Sequence, residues 1–257
     1  MRRVLYIDGS FGISGDMLVA ALLDMGADYE KLTKVLHSLE VKGFQTKVSR
    51  VKKSGLDMCD FLVELDEAHE NHDHDMDYLH GHEHHDHDHH HDHEHEHHHD
   101  HAHHHEHEHS HHHHHHEHRG MGEIRHIIHH SDMSEEAQKL ALKIFQVLAQ
   151  AEAKAHGTDV EQVHFHEVGA VDSIVDIVSI AVCMESLAID DVVVDTLVDG
   201  HGTIRCQHGI MAVPVPAVTH IVADNGLKLR LSHVEGELVT PTGAAAAAAL
   251  RTMDKLP

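Results

Sequence analysis

Val4-Leu-Tyr-Ile-Asp-Gly-Ser-Phe-Gly-Ile-Ser-Gly-Asp-Met-Leu-Val-Ala-Ala-Leu-Leu-Asp-Met25 decides the fold class. Its first four residues are an apolar β run ending at Asp8. Gly9, Gly12 and Gly15 then punctuate a tight loop, and Asp16 precedes a strongly apolar stretch. The pattern predicts a strand over 4–7, a turn, and a helix over 17–25 stopped by Gly26. Downstream, helical periods cover 29–39, 123–130, 135–155 and 171–187. Strand patterns cover 44–51 and 58–65, separated by Ser54-Gly55, then 192–194, 197–198 and 227–231. Pro214 and Pro216 open a helix to 223, and Thr240-Pro241 opens another over 243–252. Alternating strands and helices argue for an α/β fold, a mixed sheet with packed helices.

One stretch breaks this pattern. From His69 to His118, 29 of 50 residues are His, 14 are Asp or Glu, and none is Lys or Arg. That stretch carries −14 of the formal net charge of −25, and the other 207 residues carry −11. With four apolar residues it cannot bury enough surface to offset the entropy of ordering, so it reads as a disordered His-rich insert. Three segments follow: 1–66 as the N-terminal part of the α/β domain, 67–120 as the metal-binding insert, and 121–257 as the rest of the domain. A surface this acidic repels phosphate backbones and argues against nucleic acid. No apolar run approaches a membrane span, and residues 1–8 do not resemble a signal peptide. Cys59, Cys183 and Cys206 form no CxxC pair, which fits reduced thiols in a cytoplasmic protein.

Imidazole is a ready ligand for nickel, zinc, copper and cobalt. Runs such as His111, His112, His113, His114, His115 and His116 offer donors on a chain that pays ordering entropy for each ion. Exchangeable storage is the behaviour expected of it. A preformed metal site is expected at His164-Phe-His-Glu-Val-Gly-Ala-Val-Asp-Ser-Ile-Val-Asp176. His164 and His166 would face one side of an extended segment, with Asp176 as a further metal ligand and Glu167 or Asp172 as a general base. An exposed acidic face is the plainer alternative. The glycine loop (Gly12, Ser14, Gly15, Asp16) offers backbone N–H groups at a helix N-terminus, an anion site by geometry, or simply a capped turn. His201 to Gly209 reads as a ligand loop or a hairpin. Thr240 to Gly243 reads as a plain N-cap or a further anion site.

Four stretches together resemble one family, the nickel-pincer cofactor nickel insertion proteins (LarC). They are Leu5 to Asp8 with Gly12 to Met17, Val163 to Ile177, His208-Gly with Val213 to Ala217, and Glu237 to Gly243. A His-rich insert between the first and second also resembles the family. The resemblance implies insertion of nickel into pyridinium-3,5-bisthiocarboxylic acid mononucleotide, forming the cofactor of lactate racemase-type enzymes. It implies that CTP, with Mg or Mn, is consumed by a C-terminal part beyond this chain. Partners implied are that CTP-binding polypeptide or domain and a racemase apoprotein. Two departures stand out: Ser10 precedes Phe11 where the family has the reverse order, and the chain ends at Pro257.

Other readings compete. A nickel or zinc storage and delivery protein needs only the insert. A phosphate-handling hydrolase would use Asp8 and Asp16 with magnesium.

Overall fold

The computed structural model describes residues 2–66, 119–163, 171–206 and 209–257. Among them the strand β1 (Val4–Ile7) runs into the loop and helix α1 (Gly15–Asp24), as the opening stretch predicts. Helix α2 (Tyr29–Ser38) follows, started by Asp28, whose side chain accepts the Lys31 N–H. The hairpin β2 (Phe44–Lys53) and β3 (Leu56–Leu65) turns at Ser54-Gly55. Beyond residue 118 come α3 (Met121–His129) and α4 (Glu135–His156). Ser134 caps α4 by accepting the Ala137 N–H at 3.2 Å, and Gly157 ends it in the left-handed conformation.

Helix α5 (Val171–Ser186) sits at the centre. Val171, Ile174, Val175 and Val178 are only part of what it buries. From Val171 to Met184, every residue except Asp172 and Asp176 is buried. A helix apolar on nearly every side belongs inside, and α1, α2, α4 and α7 cover it. Each fully buried Leu, Ile or Val side chain contributes about 1.5–3 kcal/mol, so this helix anchors the domain. The chain continues through β4 (Asp191–Val194), β5 (Leu197–His201), β6 (Thr203–Cys206) and β7 (Gly209–Ala212). It ends with α6 (Pro216–Asn225), β8 (Leu229–Glu235) and α7 (Pro241–Leu250).

The architecture is mixed α/β, as expected, but the described strands form four two-stranded sheets rather than one. β1 pairs β4 and β5 pairs β8 in parallel; β2–β3 and β6–β7 are antiparallel hairpins. Element ends differ from the sequence reading where caps decide them. α7 begins two residues early because Thr240 caps it, its side chain accepting the Gly243 N–H at 3.1 Å. The helix expected from Pro214 begins at Pro216, which occupies its first turn. The three cysteines are free, and burial pushes the Cys183 thiol up to about 12, as befits an inert core thiol. No helix among the described residues is long and apolar enough to cross a membrane.

Candidate functional site

The glycine loop is held by close approach. Gly12 has φ of +85°, and a Cβ there would run into the Leu238 backbone. The Ile13 N–H donates to the Leu238 carbonyl at 2.8 Å, and the Thr240 N–H donates to the Ile13 carbonyl at 3.0 Å. The loop is therefore clamped to the segment leading into α7. Asp199 fixes that segment from below. It is 0% exposed, and its Oδ1 accepts the N–H groups of Gly200, Leu238 and Val239 at 2.7, 2.8 and 3.1 Å.

Next to this clamp opens a cavity of about 1040 Å³. Ser14, Gly15 and Asp16 of the loop line it, as do Asp172 and Asp176 of α5. Phe61 to Leu65 of β3 and Glu237, Leu238, Thr240 and Thr242 complete the described wall with Phe11, Met17 and Ser173. Asp172 and Asp176 are one helical turn apart, so both project from the same side of α5. Gly15 is a glycine because Asp176 lies on it: a Cβ would overlap the carboxylate and stand 2.8 Å from the Asp176 Cβ. The Asp16 N–H donates to Asp176. The anion position at the α1 N-terminus is thus filled by the chain's own carboxyl group. The Ser14 hydroxyl donates to the Asp16 carboxylate.

Asp176 carries the main electrostatic signal. Burial, then the neighbouring Asp16 and Asp172 carboxylates, hold its pKa well above the usual carboxylate range, against a lowering by the Asp16 N–H. Its Oδ1 is enclosed and has no hydrogen-bond partner among the described residues.

The structure brings together five of the residues singled out from sequence: Ser14, Gly15, Asp16, Asp172 and Asp176. Gly12 supports the loop from outside the cavity wall. His164, His166 and Glu167, and His111 to His116, lie outside the described residues, and so does the expected disorder of the insert. The flanks of both stretches are described. Leu65, two residues before the first gap, lines the cavity. The chain resumes at buried Arg119 and at Gly120, where a Cβ would stand 3.7 Å from the carbonyl of Val163, the residue before His164. Among the described residues no three His, Cys, Asp or Glu side chains are arranged to hold a metal ion.

The described residues of the stretch from His201 to Gly209 run from the end of β5 into the antiparallel pair β6–β7 and none of them lines the cavity, while Thr240 acts as an N-cap. Asp8 accepts the Ser10 N–H and also stands outside the wall, which weakens a magnesium hydrolase built on Asp8 and Asp16. Sequence reading gave no role to Glu64, Glu237 or Asp199. Asp199 carried a signal as an acid inside the apolar run Leu197 to Gly200, and Glu237 opens one of the family-like stretches. The two glutamates reach the cavity only through the tertiary fold.

The family described as "Nickel insertion protein" matches residues 5–257. A relative from Alkaliphilus metalliredigens, named pyridinium-3,5-bisthiocarboxylic acid mononucleotide nickel insertion protein, is 49% identical over 100% of this chain and 54% of its own length. Proteins of the same name from Akkermansia muciniphila and Geobacillus kaustophilus are 40% and 39% identical, over 97% and 94% of this chain and 52% and 49% of their own lengths. The chain therefore spans about half the length of the curated relatives it matches. No solved structure matches it.

Proposed function

The chain belongs to the nickel insertion protein family, and on that premise we propose that it gathers nickel and presents it for insertion into pyridinium-3,5-bisthiocarboxylic acid mononucleotide. The observation that carries the reading is a convergence. The glycine loop, the acid pair of α5 and the end of β3 line one cavity, and the far flank of the His-rich tract packs beside Val163.

In this reading the tract, His111 to His116 included, raises the local supply of nickel. Because it is tethered beside the site, transfer is intramolecular and gains from effective concentration. His164 and His166, with Asp176, receive the ion, since borderline nickel takes imidazole and carboxylate donors. Insertion breaks a ring C–H bond and makes a C–Ni bond, so a base must accept the proton. Glu167 or Asp172 fills that role. The mononucleotide's phosphate finds less at the glycine loop than the sequence suggests. The Gly12 N–H donates to the Gly9 carbonyl, Ile13 to Leu238, and Asp16 to Asp176. The loop then serves to carry Asp16 and to seat Asp176. In the same reading a C-terminal CTP-binding polypeptide or domain supplies CTP with Mg or Mn, and the product serves a lactate racemase-type apoprotein in the cytoplasm. The reaction class is that of a cyclometallase, a lyase.

The test combines this chain with the remaining half of a full-length relative, thiolated precursor, nickel and CTP, and follows metallated cofactor by mass. Product should form, and His164→Ala with His166→Ala should reduce it about tenfold or more, the scale of losing metal-site groups. Undiminished product in the variant sinks the assignment of these residues. Nickel uptake with no product under any condition leaves storage and delivery as the function.

A further inference from the structure

We infer that Phe11 positions the substrate, its exposed ring forming the surface on which the pyridinium ring of the mononucleotide stacks. The inference rests on the insertion reading above and names the residue that receives the ring.

Two aromatic side chains stand among the described residues that line the cavity. Phe61 is 3% exposed and belongs to the core. Phe11 is 87% exposed, so its ring gives almost nothing to folding. Met17 and Leu62, each 46% exposed, line the same cavity. Single exposed apolar side chains are ordinary. Three of them on the wall of one cavity make a patch, and an apolar patch in a cavity marks a ligand site.

The backbone under the ring is fixed. Phe11 lies in a turn closed by the Gly12 N–H, which donates to the Gly9 carbonyl at 3.1 Å. Both ends of that turn are anchored. The Gly9 carbonyl also accepts the Val198 N–H at 2.9 Å, and a Cβ at Gly9 would stand 2.9 Å from the Leu197 Cα. On the other side the Ile13 N–H donates to Leu238. The Ser10 N–H donates to the Asp8 carboxylate at 2.9 Å. A side chain on so constrained a turn loses little freedom on meeting a ligand, which suits a stacking platform.

The chemistry of the ring selects its occupant. The face of a phenyl ring is the negative part of its quadrupole and attracts a cation. A pyridinium is both flat and positively charged, so it gains contact area and electrostatic attraction together. A neutral base gains the area alone. The exposed carboxylates of Asp16 and Glu64 line the same cavity and favour a positive ring as well.

The chain contains no Trp, so Phe11→Trp installs a single reporter at the platform. The experiment uses the full chain, nicotinamide mononucleotide as the pyridinium probe and uridine monophosphate as the neutral-ring control. The pyridinium should quench the emission saturably with an unchanged lifetime, the signature of a stacked complex, and uridine monophosphate should not. By calorimetry, Phe11→Ala and Phe11→Leu should weaken the pyridinium nucleotide by about threefold to thirtyfold, the range that cation–π energies convert to. Phe11→Tyr should hold its affinity, and uridine monophosphate should lose less than the pyridinium in every variant. The side chain is exposed, so these changes leave the core intact. Quenching that shortens the lifetime is collision alone and overturns the inference. Equal losses for the two nucleotides overturn it, as does no binding of the pyridinium nucleotide by the parent. A blue shift of the Trp emission on adding the remaining half of a full-length relative, with no response to nucleotide, overturns it too and gives the patch to that half. Any of these results alongside product in the insertion assay overturns the role of Phe11 alone. Absence of product from the parent overturns the insertion reading itself.

Discussion

Asp176 of α5 rests on Gly15 of α1, with the Asp16 N–H donating to its carboxyl group. Two motifs 160 residues apart in number are therefore one structural unit: the first supplies the bare backbone and the amide, the second the acid. Gly15→Ala places a methyl group inside the Asp176 carboxylate and must push α1 and α5 apart or turn the acid. Overpacking of this kind costs about 1–3 kcal/mol. Urea denaturation of the metal-free protein measures it. A Gly15→Ala protein as stable as the parent would mean that the two helices are not locked together here.

Asp199 gives a second, independent prediction. Its Oδ1 holds three backbone N–H groups, two of them from the segment that clamps the glycine loop. Asp199→Ala leaves those donors without their acceptor in a fully buried place. The cost is about 3 kcal/mol or more, since each stranded donor forfeits its own hydrogen bond. Asp199→Asn keeps the acceptor oxygen and should cost less. Amide exchange at Leu238 and Val239 should quicken most in the alanine variant. Exchange that stays slow at both amides would show that Asp199 does not hold the clamp.

Much of this was readable from the chain because periodicity reports burial. The strand–loop–helix opening, the helices stopped by Gly157 and Gly226, and the Ser54-Gly55 hairpin all sit where turn chemistry and apolar spacing put them. The pairing of strands was not readable. β1 with β4 and β5 with β8 are parallel pairs between distant segments, and nothing in local pattern selects those partners. The same limit governs the site. Asp172 and Asp176 stood out by their spacing on an apolar helix. Glu64 and Glu237 did not, because an exposed acid on a strand or loop looks the same whether or not a cavity lies beneath it. The glycine loop's spacing was legible but its purpose was not: close packing and an anion cradle demand the same residue.

Asp176 also fixes how stability should vary with pH. Its pKa is raised in the folded state, so the native protein binds the proton more tightly than the unfolded chain does. This contribution favours folding fully below the ordinary Asp value of about 3.9 and is lost as pH rises from there through the folded value. Asp195 works the other way. The Tyr6 hydroxyl at 2.6 Å and the Thr196 N–H lower its pKa, but it is exposed and its share is small. Denaturation of the metal-free protein at a series of pH values should show Asp176→Asn gaining on the parent as pH rises above about 4. A constant difference between the two proteins across that range would mean that Asp176 is ionised as easily in the fold as in the unfolded chain.

The tract makes its own prediction through charge. A His must be neutral to ligate, so protons and nickel compete for the same nitrogen. With 29 imidazoles near a reference pKa of about 6.5, most nickel should leave between pH 7 and about 5.5. Near that pKa about half the imidazoles are charged, which nearly cancels the 14 carboxylates of the same stretch. Net repulsion between chains then falls, and solubility should pass through a minimum as the metal leaves. Dialysis at stepped pH with metal analysis and light scattering follows both effects. Sites within the tract, whose composition predicts an ordering cost for each ion, should empty first, whereas the proposed site of His164, His166 and Asp176 should hold its ion longest. One equivalent per chain retained at the acid end, and lost on His164→Ala with His166→Ala, would separate the receiving site from the reservoir. Full retention by the parent at pH 5.5 would mean that imidazole is not what holds the metal.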